Sequence, residues 1–142
     1  MPLKTDPATS RPDVPWLTSF QMGHERIDAE HRAVIEQANV VCSLAPGGAG
    51  TAALLTAARR LIAVTEEHFI SEETLFPAIG YRDARTHVRE HMSIRAALAA
   101  LLLTDQDHDV AAAASTVRLL LIEHIVRHDL AFKTWIEQSL GR

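Results

Sequence analysis

His68 and Glu72 stand four residues apart, as do His87 and His91. On a helix each pair shares one face and could pinch a metal ion. His124 has two candidate partners. His128 lies at i+4, on the same face, and Asp129 at i+5, swung about 140° around an ideal helix. His31 stands alone, in phase with Ile27, Val34 and Ile35. Imidazoles and carboxylates together suit a borderline metal such as iron. Taken singly, each feature has a plainer explanation: a lone histidine is usually a satisfied core or surface residue, and HxxxH or HxxxE arises by chance. Ligand-type residues on four separate segments are harder to dismiss.

The elements that carry them read as helices. Ile27, Val34, Ile35, Val41 and Leu44 fall near a 3.6-residue period, predicting a first helix from His24 to Leu44 that APGGAG (45–50) stops. Thr51 can cap a second helix with Leu54, Ala58, Leu61, Thr65, His68, Glu72 and Leu75 on one stripe, ended by Pro77 and Gly80. A third is expected from about Asp83 to Leu103, with Val88, His91, Ile94, Leu98 and Leu101 inward. TDQDHD (104–109) is turn-rich, and a fourth helix follows to about Ser139. Short connections force neighbouring helices antiparallel. The expected architecture is therefore all-α, an up-down-up-down four-helix bundle over residues 23–142, preceded by an irregular N-terminal arm (1–22). An apolar interior should not collect histidines and carboxylates without a compensating partner.

Composition narrows the function. A chain of 142 residues, 47% hydrophobic and 23% charged, is most economically one globular domain. Its net charge of −4 and the lack of a Lys/Arg stripe argue against nucleic acid. Cys42 is the one cysteine and reads as a small apolar filler, with no disulfide framework and no CxxC metal pair. No segment approaches the ~18 apolar residues of a membrane span, and MPLKTDPATSRPDVP lacks the apolar core of a signal peptide. A cytoplasmic monomer is expected, with no membrane insertion.

Five imidazoles and two carboxylates exceed the six positions of one ion. Two ions sharing both carboxylates and one small oxygen bridge use the set fully. One would have three histidines and three bridges; the other would have two histidines, the same bridges and one open position.

Trp16, GHERIDAEH (23–31), HFISEE (68–73), HVREH (87–91) and HIVRHD (124–129) resemble, in order and spacing, the signature of the hemerythrins, in particular the single-domain bacterial ones. The resemblance covers Trp16 to about Gln138 and implies two iron ions with an oxo or hydroxo bridge, binding dioxygen reversibly. It implies His87, His91 and His124 on the saturated iron, His31 and His68 on the open one, and Glu72 and Asp129 as bridges. What the histidines lack is a second anionic bridge beside Glu72, and His128 cannot supply one. Asp129 can, if the helix widens locally, as in a π-bulge; His128 is then expected to turn aside.

By phase and family match, Val34, Phe69, Leu120, Leu121 and Ile125 are expected to wall the oxygen pocket, a role compatible with core packing. Leu120 stands where many members carry Trp. His24 is read as a helix-start or surface residue, Asp28 as a capping or orienting one, Glu73 as a solvated charge and His108 as an exposed turn residue. The expected function is a dioxygen carrier, store or supplier rather than an enzyme. The rivals are a di-iron enzyme reducing peroxide or nitric oxide, disfavoured by the lack of an extra carboxylate, Tyr or Cys near the ligands, and a sensor of oxygen, redox or metal state with an unknown protein partner.

Overall fold

The structure, a computed structural model, describes residues 13–47, 52–102 and 110–139. Three helices, α1 (Glu25–Leu44), α2 (Ala52–Ile79) and α3 (Ala84–Leu102), precede a fourth rod made of three pieces. These are α4 (Val110–His124), a π-helical turn (Ile125–Asp129) and α5 (Leu130–Ser139). α1 and α3 each pack against both α2 and α4, which closes the four rods into an antiparallel bundle. There is no strand among the described residues. Thr51, the expected cap of α2, and the 104–109 turn with His108 lie outside them.

Local chemistry sets the helix ends. His24 is the N-cap of α1, its Nδ1 accepting from the Ile27 N–H at 3.3 Å. Asp28 reaches back to accept from the Met22 N–H at 2.6 Å, and with Glu25 places negative charge on the positive end of the helix dipole. The expected stop at Pro77 is corrected: Pro77 lies inside α2, and Gly80 ends the helix with φ of 62°. Tyr81 N–H donates to the Phe76 carbonyl (3.0 Å) and Gly80 N–H to that of Pro77 (3.4 Å), the two bonds of a Schellman cap. The Tyr81 ring stacks on Phe76 at 5.2 Å, supplying the apolar contact of that motif. Trp135 Nε1–H donates to the Ile79 carbonyl at 2.9 Å and so ties α5 to the same end.

Before α1 the chain is irregular apart from a single 3-10 turn, Thr18–Phe20. It is strapped down by Asn39, which accepts from Val14 N–H and donates to the Val14 carbonyl. Arg118, buried on α4, donates to the same Asn39 side chain at 3.1 Å. Trp16 packs on the cluster of Phe20, Ile35 and Ile125, with the Arg32 guanidinium over its ring.

Two apolar clusters fill the bundle at different heights. One joins Val34, Ala38, Leu61, Phe69, Ile94, Leu98, Val117 and Leu121; the other joins Met22, Ile27, Phe76, Tyr81, Phe132 and Ile136. The ligand-type residues fall where the two meet in sequence: His31 between Ile27 and Val34, Glu72 between Phe69 and Phe76, and His124 and Asp129 between Leu121 and Phe132. The polar layer is thus sealed above and below. Leu44, Leu75 and Val88, expected inward, are only half-buried.

Candidate metal centre

His31, His68, Glu72, His87, His91, His124 and Asp129 are all buried, and Glu72 and Asp129 are 0% exposed. They form two overlapping groups, each able to hold a metal ion: Glu72, His87, His91, His124 and Asp129, and His31, His68, Glu72 and Asp129. Both carboxylates belong to both groups. Asp129 divides its oxygens between them. Its Oδ1 lies 2.7 Å from His87 Nε2 and 3.1 Å from His124 Nε2. Its Oδ2 lies 2.8 Å from His31 Nε2 and 3.4 Å from His68 Nε2. Glu72 Oε1 faces His68 Nε2 (3.1 Å), His91 Nε2 (3.2 Å) and His87 Nε2 (3.6 Å).

The π turn makes this possible. On an ordinary helix Asp129 would be swung away from His124; the i→i+5 bonding of a π turn widens the ring by one residue. His128 is left half-buried beside His124, its ring 5.4 Å away at 28°.

The donor set fits a metal pair. Buried polar atoms ordinarily find hydrogen-bond partners. Here both oxygens of Glu72, Oδ1 of Asp129 and Nε2 of His87, His91 and His124 have none, although carboxylate oxygens and imidazole nitrogens stand close together. The cluster also polarises its own members. Burial alone would lower the His87 pKa, but Asp129 and Glu72 outweigh it and push it up to about 9. His68 is raised well above the ordinary value against the same burial, by Glu72, Asp129 and Glu30. Burial would raise the Glu72 and Asp129 carboxyls; the facing histidines hold both below the ordinary carboxylate range.

The chain matches the hemerythrin HHE cation-binding domain over residues 22–136. It belongs to the hemerythrin family. A bacteriohemerythrin of Pseudomonas paraeruginosa (strain DSM 24068 / PA7) is 32% identical over 76 residues, covering 54% of this chain and 49% of the relative. The chain thus spans about half the length of that curated relative. No solved structure matches it significantly. This hemerythrin domain therefore carries a buried histidine and carboxylate metal centre.

Of the expected pocket residues, Val34, Phe69, Leu121 and Ile125 are buried beside the centre's histidines in sequence, while Leu120 is only half-buried and Leu121 takes the core position. Phe69 stacks on the His91 ring at 3.8 Å and 11°. Free Cys42 is buried in the apolar cluster.

Two further carboxylates correct the sequence reading. Glu73, expected to be solvated, accepts from His91 Nδ1–H at 3.0 Å. Arg95 holds it in place, donating to Glu73 at 2.9 Å and to Glu66 through two bonds of 2.7 and 2.9 Å. Glu30 accepts from His68 Nδ1–H at 3.1 Å and from the Ser71 hydroxyl at 2.7 Å. Burial would raise the Glu30 carboxyl, yet these donors hold it below its ordinary value. The available signal was adjacency, since Glu30 precedes His31 and Glu73 follows Glu72.

Proposed function

We propose that the centre holds two iron ions and binds dioxygen reversibly, as a carrier, store or supplier acting in a reducing cytoplasm without a partner subunit. The observation that carries the reading is the three-to-two division of histidines around two shared carboxylates. Two ferrous ions, one held by His87, His91 and His124 and the other by His31 and His68 with both carboxylates shared, would supply two electrons for binding dioxygen on the side with fewer histidines.

The chain's own residues do the rest. Glu30 and Glu73 each accept an Nδ1–H, which fixes the tautomer of His68 and His91 and leaves Nε2 free to ligate. Asp129 and Glu72 bring the two negative charges that let adjacent cations share a dry interior. Phe69, Leu121, Ile125 and Val34 are each 3% exposed or less and keep water and outside reductants away. Among the described residues no helix is long and apolar enough to cross a membrane.

A second reading is reduction of peroxide or nitric oxide at the same position. It draws on Glu30, whose side chain is 11% exposed and could pass protons between solvent and His68. One experiment separates the two. The protein is loaded with ferrous iron without oxygen, then exposed to air and purged while its optical spectrum is followed. A band that appears in air and discharges on purging supports oxygen binding. Irreversible oxidation with no dischargeable form refutes it, and sustained consumption of peroxide or nitric oxide favours the enzyme.

A further inference from the structure

Glu90, His124 and His128 each offer one ligand atom, all within 4.8 Å of one another, and only His124 of the three belongs to the buried centre. We propose that these three residues form a third cation site, distinct from the inner pair and suited to a borderline divalent ion of the zinc or ferrous class.

The two nitrogens of His124 carry the inference. Nε2 lies 3.1 Å from Asp129 Oδ1 and belongs to the inner set. Nδ1, on the other edge of the ring, is buried and has no hydrogen-bond partner, and His124 is only 1% exposed. A buried ring nitrogen without a partner is uncommon. Its counterparts on His68 and His91 are taken by Glu30 and Glu73, while those on His31 and His87 are also without a partner; His124 alone of these three belongs to a further group of ligand-type residues. The residues grouped with His124 apart from the inner set are a carboxylate and a second imidazole, both half-buried and so reachable from solvent. The His128 ring lies nearly parallel to that of His124, and Glu90 is close enough to act electrostatically on His128.

The donor set and dimensions suit such an ion. Two imidazole nitrogens and one carboxylate oxygen leave a tetrahedral zinc one position for water. Bonds of ~2.0–2.2 Å place tetrahedral ligands ~3.3–3.6 Å apart. Closing from within 4.8 Å asks for an ångström-scale shift, which the half-exposed Glu90 and His128 side chains can make while buried His124 stays fixed. Binding through Nδ1 displaces the proton carried there, which passes to solvent; no electron moves. His124 then links the outer ion to the inner centre through one ring. The proposal rests on His124 turning Nε2 inward and not on dioxygen binding.

The test dialyses iron-loaded protein against micromolar zinc without oxygen and counts both metals per chain by mass spectrometry. Wild type is expected to take up one zinc while keeping its iron. His128→Ala and Glu90→Gln are expected to bind zinc at least tenfold more weakly, with iron content and optical spectrum unchanged. No added zinc in wild type, zinc that enters only by displacing iron, or zinc binding unweakened in either variant would overturn the proposal. So would a parallel loss of iron in both variants, because it would place Glu90 and His128 in the inner centre.

Discussion

Asp129→Asn separates the two ways of using the fourth rod. The substitution keeps shape and removes the charge that four imidazoles approach within 2.7–3.4 Å. In the metal-free protein those imidazoles lose the carboxylate charge they face. Removing one partner of a buried ion pair costs about 3–5 kcal/mol. For a chain of this size that lowers Tm by about 10–15 °C. The loss is smaller at alkaline pH, where His87 can shed its proton instead, its pKa being about 9. In the proposed two-iron centre both ions would lose a shared anionic ligand, so loading is expected to fall below two per chain. His128→Asn, one residue away, is the control: His128 belongs to neither inner group, so Tm and two-iron loading are expected to hold. Calorimetry on metal-free protein and iron analysis on loaded protein read the two effects. Unchanged melting and two tightly held irons in Asp129→Asn, with loss in His128→Asn, would refute the assignment of Asp129 as the bridge.

Glu73→Ala is expected to weaken retention of the ion beside His91 by about 10–100-fold, since it frees Nδ1 of that ligand; equal chelator-competition constants for the variant and wild type would count against it. Leu121→Ala opens space in the apolar cluster, costs about 2–5 kcal/mol and is expected to speed autoxidation of an oxygenated form. An unchanged lifetime would remove Leu121 from the oxygen barrier. The metal-free protein should be most stable between roughly pH 4.5 and 6.5. The raised imidazoles of His68 and His87 stabilise it fully below their unfolded value and lose this as pH rises through their folded values, about 9 for His87. The lowered carboxyls of Glu72 and Asp129 stabilise it above their unfolded values and lose this as pH falls through the folded ones. A Tm that does not fall between pH 7 and 10 in the absence of metal would contradict the sign.

The bundle was legible because each helix carries an apolar stripe with a 3.6-residue period, and the same stripe brings His31, His68, Glu72, His87 and His91 inward. Asp129 was not legible from periodicity, because a π turn breaks the period it would be counted on; the family resemblance and the need for a second anionic bridge pointed to it. Pro77 misled as a stop because α2 runs two residues past it, and the chain reverses only at the Gly80 cap, which Tyr81 and Gly80 N–H close onto Phe76 and Pro77. Glu73 misled because one step off a stripe looks like solvent on an isolated helix, whereas in a bundle it is the seam with the next helix.

That seam has a regular order. Successive helix residues step about 100° around the axis, and reversing the helix reverses the sense of the step. Around an antiparallel ring, the residue facing the next rod is therefore alternately one before and one after the ligand. Glu30 precedes His31 on α1 and reaches His68 on α2. Glu73 follows Glu72 on α2 and reaches His91 on α3. Glu90 precedes His91 on α3 and neighbours His124 and His128 on the fourth rod. The fourth seam, one after His124, holds Ile125, which packs with Ile35 and Phe20 against α1. His31 accordingly has no partner at Nδ1. Three seams present carboxylates beside a ligand histidine, and the fourth, beside a histidine of the two-imidazole group, is apolar. One register rule thus places both the polar supports and the dry wall, and places the wall on the side where an exchangeable ligand would need it.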